Sequence, residues 1–557
     1  MILLKKTLIS LSLSIVSGFL LYLSFPPREI SFFAWIALVP LLFAICTVSY
    51  IQSFFIAFIS GMVFWAFHVQ WLNVVPNLPL IAFIVIIFYC AFFFGLFGIS
   101  YTLLTERTKW PVMLRAPVLW VAIEYTRSHL SFMSLPWAFL GHSQYNFIPI
   151  IQIASFTSVY GVSFLIVVVN VAISEGILRV LGHAEPGSAF KKPMGYKILK
   201  RFQDDKGMLF IQSKRTSLFR SIPLIAGVFI TVLIVYLWGA YQVKTLGSNT
   251  EGLLTASLIQ GNIPQDVKWD SNFRKMIVQR YHSMTLQASL QNPDLIIWPE
   301  SSTPGYLMQD YLTHRTVMDV LHETGIPLLL GSSSRAKIGR GERSIFKSLN
   351  SAFLLDGKGS VLSSYNKIKL LPFGEYLPLK GKFPWPHCLV PSSGNFIPGR
   401  NHVVFRLPQG NFGVVICWEN LFPEVFRTFV ERGGQFMVNL TNEAWVGKSA
   451  ASHQIIAMSV FRAVENRVSL LRCANTGVTC LIDPLGRLEK KVMDEKGNDI
   501  MVTGILTTSV PKPKGPTFYT KYGDIFAIAC TVLAFFFVLS AMIPLKLRQL
   551  LKISGKS

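Results

Sequence analysis

Residues 410–424 read GNFGVVICWENLFPE, and they contain an apolar run that stops at a thiol and a carboxylate. The run at 412–416 is continuous, which is typical of a strand buried on both faces of a sheet. Cys417 and Glu419 follow at once, and Pro423 is well placed to begin a helix. A free cysteine is usually a buried packing residue, so Cys417 alone favours a structural interpretation. The stretch predicts a strand, a turn and a helix.

The composition indicates a membrane protein. The chain has 557 residues, of which 51% are hydrophobic and 15% are charged, and its mean hydropathy is +0.46. Soluble globular chains carry about 25% charged residues. The net charge of +23 does not indicate a nucleic-acid partner, because the Lys and Arg residues cluster beside apolar stretches, as they do in membrane proteins.

No cofactor or metal site is predicted. The seven cysteines and ten histidines do not occur at the spacing of metal ligands. The segment NEAWVGKS at 442–449 comes closest to a phosphate-binding loop, but Asn442 stands where such a loop requires glycine.

Eight apolar stretches are predicted to cross the membrane. The first follows Lys5 and Lys6, and it is interpreted as a span rather than a signal peptide because no small-residue cleavage site follows it. The fifth is the weakest, since Glu124 and Arg127 lie at its end. The stretches cover residues 7–25, 32–50, 54–71, 80–104, 112–125, 150–178, 222–241 and 522–545.

The positive charges orient these spans. With eight spans, the basic segments at both termini and after spans four and six fall on one side, which the positive-inside rule makes the cytoplasm. We therefore predict a multi-pass protein of the cell inner membrane, with both termini cytoplasmic and the large polar region periplasmic. The predicted parts are a seven-span membrane domain at 1–241 with a basic cytoplasmic loop at 183–220, an extracytoplasmic domain at 242–520, and an eighth span with a basic tail at 521–557.

The region at 242–520 alternates between predicted strands and helices, which is typical of a single α/β domain. Its continuous apolar runs indicate a sheet that is buried on both faces. The predicted strands are 253–260, 295–298, 327–331, 351–355, 413–417, 436–440 and 478–482, and the predicted helices are 273–290, 313–323, 423–432 and 453–466.

Three strand ends of this domain carry reactive side chains. Glu300 follows the apolar run at 295–298, a lysine follows the segment ending at Asn366, and Cys417 ends the run described above. Each alone is more simply a solvated charge or a packed thiol. Together they supply the base, the ammonium and the nucleophile of a thiol-based acyl transfer. The residues alone do not choose between Lys367 and Lys369, because both would lie on one face of a strand.

The motifs around these residues resemble the Glu-Lys-Cys triad of the nitrilase superfamily. With membrane spans on both sides, the chain resembles the apolipoprotein N-acyltransferases over all but the insertion at 183–220. This resemblance implies an α-β-β-α sandwich for the extracytoplasmic domain, and it selects Lys367 over Lys369. The motifs are Trp298-Pro299-Glu300, Tyr365-Asn366-Lys367 with Pro372-Phe373-Gly374-Glu375, and Cys417-Trp418-Glu419.

The resemblance also implies a reaction. An acyl chain leaves the sn-1 position of a phospholipid, typically phosphatidylethanolamine, and forms a thioester on Cys417. The α-amino group of the N-terminal S-diacylglyceryl cysteine of an apolipoprotein then takes the acyl chain. Glu300 would act as the base, and Lys367 would stabilise the oxyanion with the backbone N–H after Cys417. The implied partners are thus a phospholipid donor and a diacylated apolipoprotein acceptor.

Five further residues are expected to support the site. Glu375 is expected to orient the lysine, and Glu419 to position the thiol or the entering amine, although either can equally be a buried ion-pair residue. Trp418 stands where the family usually has tyrosine, so we expect it to act only sterically. Asn442 commonly fills turns, and Trp445 is expected to contact lipid or form a lid, unless it belongs to a plain surface loop.

Two alternative functions remain open at this stage. The first is a membrane-tethered, nitrilase-like amidohydrolase, in which water replaces the amine. The membrane half argues against it, because a soluble amide would not require such a half. The second is a transporter with a degenerate extra domain, which the intact Glu-Lys-Cys set disfavours.

Overall fold

The computed structural model describes residues 2–180, 209–247, 251–338, 345–386, 390 and 394–542. The predicted basic loop at 183–220 lies outside the described residues up to position 208, and its remainder belongs to a long helix, Leu209–Gly247. The predicted basic tail also lies outside the described residues from position 543 onward.

The N-terminal part of the chain is built from α-helices whose apolar side chains pack on one another. A helix satisfies its backbone hydrogen bonds internally, which is what the hydrocarbon region of a membrane requires. The helices described in this part are α1 (Ile2–Leu23), α2 (Ala34–Ala37), α3 (Val39–Ile45), α4 (Tyr50–His68), α5 (Leu80–Arg107), α6 (Val112–Ser128), α7 (Ile148–Ile151), α8 (Ala154–Thr157), α9 (Val159–Val180) and α10 (Leu209–Gly247).

Five helical stretches are long and apolar enough to cross a membrane, judged by length and composition over the described residues. Two further apolar stretches, Thr7–Leu23 and Ser31–Ile45, are shorter. Helix α6, at the fifth predicted span, contains three buried charged residues, Arg115, Glu124 and Arg127. The chain is therefore a membrane protein, while the number of eight spans remains a prediction. The five long stretches are Tyr50–His68, Leu80–Arg107, Ala154–Leu178, Pro223–Gly247 and Ile525–Met542.

The span predicted at 32–50 is not one continuous helix. It breaks between α2 and α3, and Pro40 lies in the first turn of α3, where a missing N–H is tolerated. Asn170 of α9 satisfies the broken backbone: its Oδ1 accepts from the N–H of Leu38 at 2.8 Å, and its Nδ2 donates to the carbonyl of Ala34 at 2.9 Å. Irregular backbone at membrane depth is stable where protein groups satisfy it in this way.

The region predicted as a single α/β domain contains two six-stranded mixed sheets, ordered β12-β1-β2-β3-β4-β5 and β11-β10-β9-β8-β7-β6. In each sheet the three central strands, β1 to β3 and β7 to β9, are parallel, and the outer pairs are antiparallel. The strands are β1 (Gly252–Gln260), β2 (Leu295–Ile297), β3 (Leu328–Ile338), β4 (Ile345–Leu355), β5 (Val361–Asn366), β6 (Val404–Leu407), β7 (Gly410–Ile416), β8 (Phe436–Thr441), β9 (Ser469–Ala474), β10 (Cys480–Ile482), β11 (Leu488–Lys491) and β12 (Gly504–Pro511).

Five of these strands were not predicted from the sequence. Strands β5, β6, β11 and β12 lie at or near sheet edges and are half exposed, so they lack the continuous apolar run that marks a doubly buried strand. Strand β9 is fully buried, but Arg472 interrupts its apolar run. Periodicity alone therefore predicted one sheet, where the structure has two.

The two sheets pack face to face, with helices on both outer faces, which confirms the α-β-β-α sandwich. Helices α12 and α13 cover the first sheet, and α14 and α15 cover the second. The apolar core of the second sheet continues into the membrane helices without a gap. The remaining helices are α11 (Gln265–Lys268), α12 (Arg274–Ser289), α13 (Tyr311–Thr324), α14 (Pro423–Glu431), α15 (Ala451–Asn466), α16 (Phe518–Tyr522) and α17 (Ile525–Met542).

Helix α15 is one of the elements that join the two halves of the protein. The span predicted at 150–178 is interrupted at Ser158, whose φ is +55°, just before α9 begins. Glu465 of α15 caps this helix by accepting from the hydroxyl of Ser158 at 2.5 Å and from the N–H of Val159 at 3.2 Å. Arg462 on the same helix donates to Glu465 at 2.8 Å. A buried ion pair with these additional hydrogen bonds fixes α15 on the membrane helices.

Gln454 lies at the other end of α15, and both the oxygen and the nitrogen of its side-chain amide form hydrogen bonds at this junction. Its Oε1 accepts from the indole N–H groups of Trp71 at 3.1 Å and Trp137 at 3.0 Å. Its Nε2 donates to the carbonyls of His68 at 2.9 Å and Pro26 at 3.3 Å. Four membrane-half groups are thus hydrogen-bonded to one side chain of the sandwich.

Replacement of Gln454 by Glu is expected to destabilise this junction. A carboxylate can still accept from Trp71 and Trp137, but it has no hydrogen to donate, so the carbonyls of Pro26 and His68 would face a negative charge. We expect a loss of about 2–5 kcal/mol, which would appear as a lower midpoint of thermal unfolding of the detergent-solubilised protein.

The matched control is Gln291→Glu, which makes the same change at an exposed position. This control should leave the midpoint of thermal unfolding unchanged. Equal midpoints for the two variants would contradict the role given to Gln454.

Candidate active site

Cys417 lies on a strained turn where β7 ends and a short 3₁₀ helix, Cys417–Leu421, begins. Its φ is +57°, a conformation that is uncommon for a residue with a side chain and that recurs at active sites. Asn439 of β8 holds the turn, because its Nδ2 donates to the carbonyls of Val415 and Cys417, each at 3.2 Å. Cys417 is half-buried, so the turn fixes the residue without enclosing it completely.

Glu300 follows β2 of the opposite sheet and is buried. Its Oε1 accepts from the side-chain amide of Asn350 at 2.8 Å, and its Oε2 accepts from the backbone N–H of Asn442 at 2.8 Å. Its backbone lies so close to β3 that a Cβ at Gly331 would come within 2.7 Å of the Cα of Glu300. Glycine is therefore required at position 331.

Lys367 is almost completely buried and lies between two carboxylates. Its Nζ is 2.9 Å from Oε2 of Glu375 and 3.7 Å from Oε1 of Glu300. Asn350 completes the group. Its side-chain Nδ2 also donates to Oε1 of Glu375 at 2.9 Å, and its backbone carbonyl accepts from the backbone N–H of Lys367 at 2.8 Å. The structure thus places Glu375 beside the lysine ammonium, and its orienting role remains a prediction.

Lys367 and Lys369 do not share one face of a strand, and that prediction was wrong. Strand β5 ends at Asn366, so the two side chains diverge on irregular backbone. Lys369 is exposed and pairs with Glu424 at 3.4 Å. Only Lys367 of the two points into the buried group.

The electrostatics of the site keep the thiol protonated at rest. Burial and the negative charge of Glu300 raise the pKa of Cys417 to about 12, against the opposing effect of Lys367 and of a hydrogen bond with Thr441. Burial alone would lower the pKa of Lys367, but Glu375, Cys417 and Glu300 outweigh it and raise that pKa. A base must therefore remove the thiol proton before Cys417 can attack.

Glu419 contacts neither the lysine ammonium nor the thiol directly. Its Oε1 accepts from the phenol of Tyr365 at 2.8 Å and from the N–H groups of Ile368 at 2.7 Å and Lys369 at 3.0 Å. Its Oε2 accepts from the N–H of Ile416 at 2.8 Å. One buried carboxylate thus joins the backbone after Lys367 to the backbone before Cys417, and a role in positioning the thiol remains a prediction.

Trp418 and Trp445 both make hydrogen bonds as well as apolar contacts. The indole N–H of Trp418 donates to the carbonyl of Lys369 at 2.7 Å, so the expectation of a purely steric role was wrong. The indole N–H of Trp445 donates to the carbonyl of Asn442 at 2.9 Å. Its ring lies 6.5 Å from that of Trp71 in the membrane half, centroid to centroid. The site therefore borders the membrane helices.

Four residues of the site escaped the sequence analysis. Neither Asn350 nor Lys268 belongs to a recognisable motif. The only signal for Asn350 is a weak one, namely that it is a polar residue just before the predicted strand at 351–355. Lys268 is buried, and its Nζ donates to the carbonyl of Glu300 at 3.0 Å. Asn439 donates to the carbonyl of Cys417 and accepts from Arg472 at 2.7 Å, and Arg472 pairs with Glu443. Asn439 lies in a strand that looks like an ordinary buried strand, and Arg472 lies in β9, which was not predicted.

The geometry supports nucleophilic acyl chemistry without a metal ligand set. Within the described residues, no group of three or more His, Cys, Asp or Glu side chains is placed to hold a metal ion. The carboxylate of Glu300 and the ammonium of Lys367 lie 3.7 Å apart, and both are near enough to the thiol of Cys417 to shift its pKa. Groups of these three kinds can move a proton, stabilise an oxyanion and form a covalent bond.

Two family models match long parts of the chain. Residues 17–172 match the family described as apolipoprotein N-acyltransferase N-terminal domain, and residues 255–510 match the carbon-nitrogen hydrolase family. Among solved structures, a variant of the amidase from Nesterenkonia AN1, of the nitrilase superfamily, is 19% identical with a TM-score of 0.33, over 47% of this chain and 92% of that chain.

Two curated relatives match almost the full length. An apolipoprotein N-acyltransferase of Geobacter metallireducens is 35% identical over 526 residues, covering 93% of this chain and 92% of that protein. An apolipoprotein N-acyltransferase of Chlorobaculum tepidum is 27% identical and covers 94% of each chain. The resemblance drawn from the sequence motifs is confirmed, and the chain belongs to the apolipoprotein N-acyltransferase family.

Proposed function

We propose that this membrane-embedded acyltransferase moves a fatty acyl chain from the sn-1 position of a phospholipid, such as phosphatidylethanolamine, to an apolipoprotein through a thioester on Cys417. The acceptor is the α-amino group of an N-terminal S-diacylglyceryl cysteine. The observation that carries the proposal is the strained, half-buried Cys417, on which the charges of the buried pair Glu300 and Lys367 act, at the border of a membrane domain.

In the first half-reaction, Glu300 takes the proton of the Cys417 thiol, and the thiolate attacks the ester carbonyl of the phospholipid. Lys367 stabilises the negative charge that develops on the carbonyl oxygen, together with the backbone N–H of Trp418. When the tetrahedral intermediate collapses, the lysophospholipid oxygen leaves and takes the proton from Glu300. A thioester on Cys417 remains.

In the second half-reaction, the α-amino group of the lipoprotein attacks the thioester carbonyl. Glu300 accepts a proton from the amine, and the thiolate leaves and is reprotonated as the amide forms. A thioester suits this sequence because it keeps the acyl group activated for an amine. Asn350 and Asn442 support both steps by holding the carboxylate oxygens of Glu300.

Both substrates are lipids or lipid-anchored, so the site must open toward the bilayer. Trp445 at the site meets Trp71 of the membrane half, and Trp71 in turn lies 5.2 Å from Trp137. We place this opening at the periplasmic leaflet of the inner membrane, with both termini in the cytoplasm. The basis of that orientation is the distribution of Lys and Arg between the apolar stretches.

Replacement of Cys417 by Ala should abolish acyl transfer. Without the thiolate no thioester forms, so transfer of labelled acyl chain from phosphatidylethanolamine to a diacylated lipopeptide should fall by ~10³-fold or more. In the wild-type protein, mass spectrometry should detect the acyl group on the Cys417 peptide when the acceptor is omitted.

The lipopeptide assay also separates transferase from hydrolase. Release of free fatty acid instead of acyl-lipopeptide by the wild-type protein would favour the amidohydrolase alternative. Cys480→Ala, at a cysteine buried in β10, is the matched control, and transfer by Cys417→Ala at its level would refute the assigned nucleophile.

Replacement of Glu419 by Gln should impair the site without removing a reacting group. The side-chain NH₂ of the new glutamine would face either the N–H of Ile416 or the hydrogen-bond donors of Tyr365 and Ile368. Two donors then face each other, so at least one hydrogen bond is replaced by a repulsion. We expect kcat/KM to fall about 10- to 100-fold, together with slower alkylation of Cys417 by iodoacetamide. Glu424→Gln, at a partly exposed carboxylate, is the control, and equal behaviour of the two variants would contradict the positioning role.

The proposed orientation predicts which positions an impermeant reagent can reach. In spheroplasts, a cysteine introduced at the exposed Lys358 of the sandwich should react with a membrane-impermeant maleimide. A cysteine at the exposed Lys109, after the fourth predicted span, should react only after lysis. The parent protein without either change sets the background, and the opposite labelling pattern would reverse the orientation.

A further inference from the structure

Lys268 is a buried cation that the reaction described above does not use. It ends α11, its side chain is 3% exposed, and its Nζ donates to the backbone carbonyl of Glu300 at 3.0 Å. Lysine is rarely buried, because removing an ammonium from water is unfavourable unless other groups compensate for the lost hydration. Here one compensating group is a neutral carbonyl, so the position of Lys268 calls for a functional reason.

The charges of the pocket provide that reason. Three carboxylates, those of Glu300, Glu375 and Glu419, act on one buried ammonium, that of Lys367. Glu300 and Glu419 are buried, and Glu375 is half-buried. Lys268 adds a second positive charge, and Glu300 and Cys417 are the groups whose charges act on it. Without Lys268, the pocket would hold three negative charges against one positive charge.

We propose that Lys268 is a positioning residue for acyl transfer: it holds the carbonyl of Glu300 in place and supplies the second positive charge that the ionisation of Cys417 requires. This inference rests on the proposed function, in which Glu300 accepts the thiol proton. Transfer of that proton moves negative charge from the carboxylate to the sulfur, and it requires that the carboxylate be ionised beforehand.

The sign of the effect follows from elementary electrostatics. A nearby positive charge favours the ionised form of Cys417 and so lowers the pKa of the thiol. Loss of the charge raises the pKa of Cys417, and the reaction then becomes fast only at higher pH. Burial lowers the pKa of Lys268 itself to about 8, against the charges of Glu300 and Cys417. The cation is therefore present at neutral pH and is lost as the pH rises through 8.

Three variants of the full-length protein separate charge from hydrogen bonding. Lys268→Gln keeps a hydrogen-bond donor without the charge, Lys268→Met keeps neither, and Lys268→Arg keeps both. The readouts are the pH profile of iodoacetamide alkylation at Cys417, followed by mass spectrometry of its peptide, and the pH profile of kcat/KM for acyl transfer. Lys275→Met, at an exposed lysine seven positions further on, is the matched control.

In the Gln and Met variants, we expect the rising part of both pH profiles to shift to higher pH by about one unit. The alkylation rate and kcat/KM at pH 7 should then each fall about tenfold. The Arg variant and Lys275→Met should show the wild-type pH profiles. Thermal unfolding midpoints identify a variant that fails to fold, and the comparison of Gln with Arg still decides the question if Met is such a variant.

Wild-type profiles in Lys268→Gln would overturn the inference, and so would an upward shift in Lys268→Arg equal to that in Lys268→Gln. The alkylation profile does not depend on any acyl donor. A wild-type protein that transfers no acyl chain would therefore refute the proposed function, while the alkylation of Cys417 would still report on Lys268.

Discussion

The pairing of one buried ammonium with two carboxylates is the constraint on which the rest of the site depends. Lys367 lies between Glu375 and Glu300, and Asn350 donates to both acids. Buried charges are stable only when they are paired and hydrogen-bonded, and removal of one partner leaves an uncompensated charge. The loops that carry these residues, although distant in the sequence, therefore have to converge, and Cys417 faces them from the opposite sheet.

The sandwich supports this pairing with rigid rather than flexible elements. Reactive side chains follow the ends of buried strands, and the strained turn at Cys417 is held by Asn439 from the neighbouring strand. Glu419 then joins the nucleophile turn to the segment that carries the lysine. A strained conformation persists only where surrounding contacts determine it, and here those contacts come from both sheets.

Sequence reasoning predicted the membrane half and the sandwich class, and it selected three residues that the fold brings to one site, because these depend on apolar runs and on short motifs. The roles of the three residues remain predictions. It failed where contacts between distant segments decide the outcome. Asn350 and Lys268 act through partners far away in the chain, and the divergence of Lys367 from Lys369 depends on where β5 stops pairing. Helix breaks at Pro40 and Ser158 likewise depend on Asn170 and Glu465, which no local pattern connects to them.

Helix α15 is buried along nearly its whole length, between the second sheet on one side and the membrane helices on the other. Separation of the halves would expose this apolar helix to water, so the hydrophobic effect keeps the catalytic unit at the bilayer surface. Its encounters with lipid-anchored molecules are consequently a search in two dimensions. Under these conditions the density of substrate in the leaflet, rather than its bulk concentration, sets how often the pocket is filled.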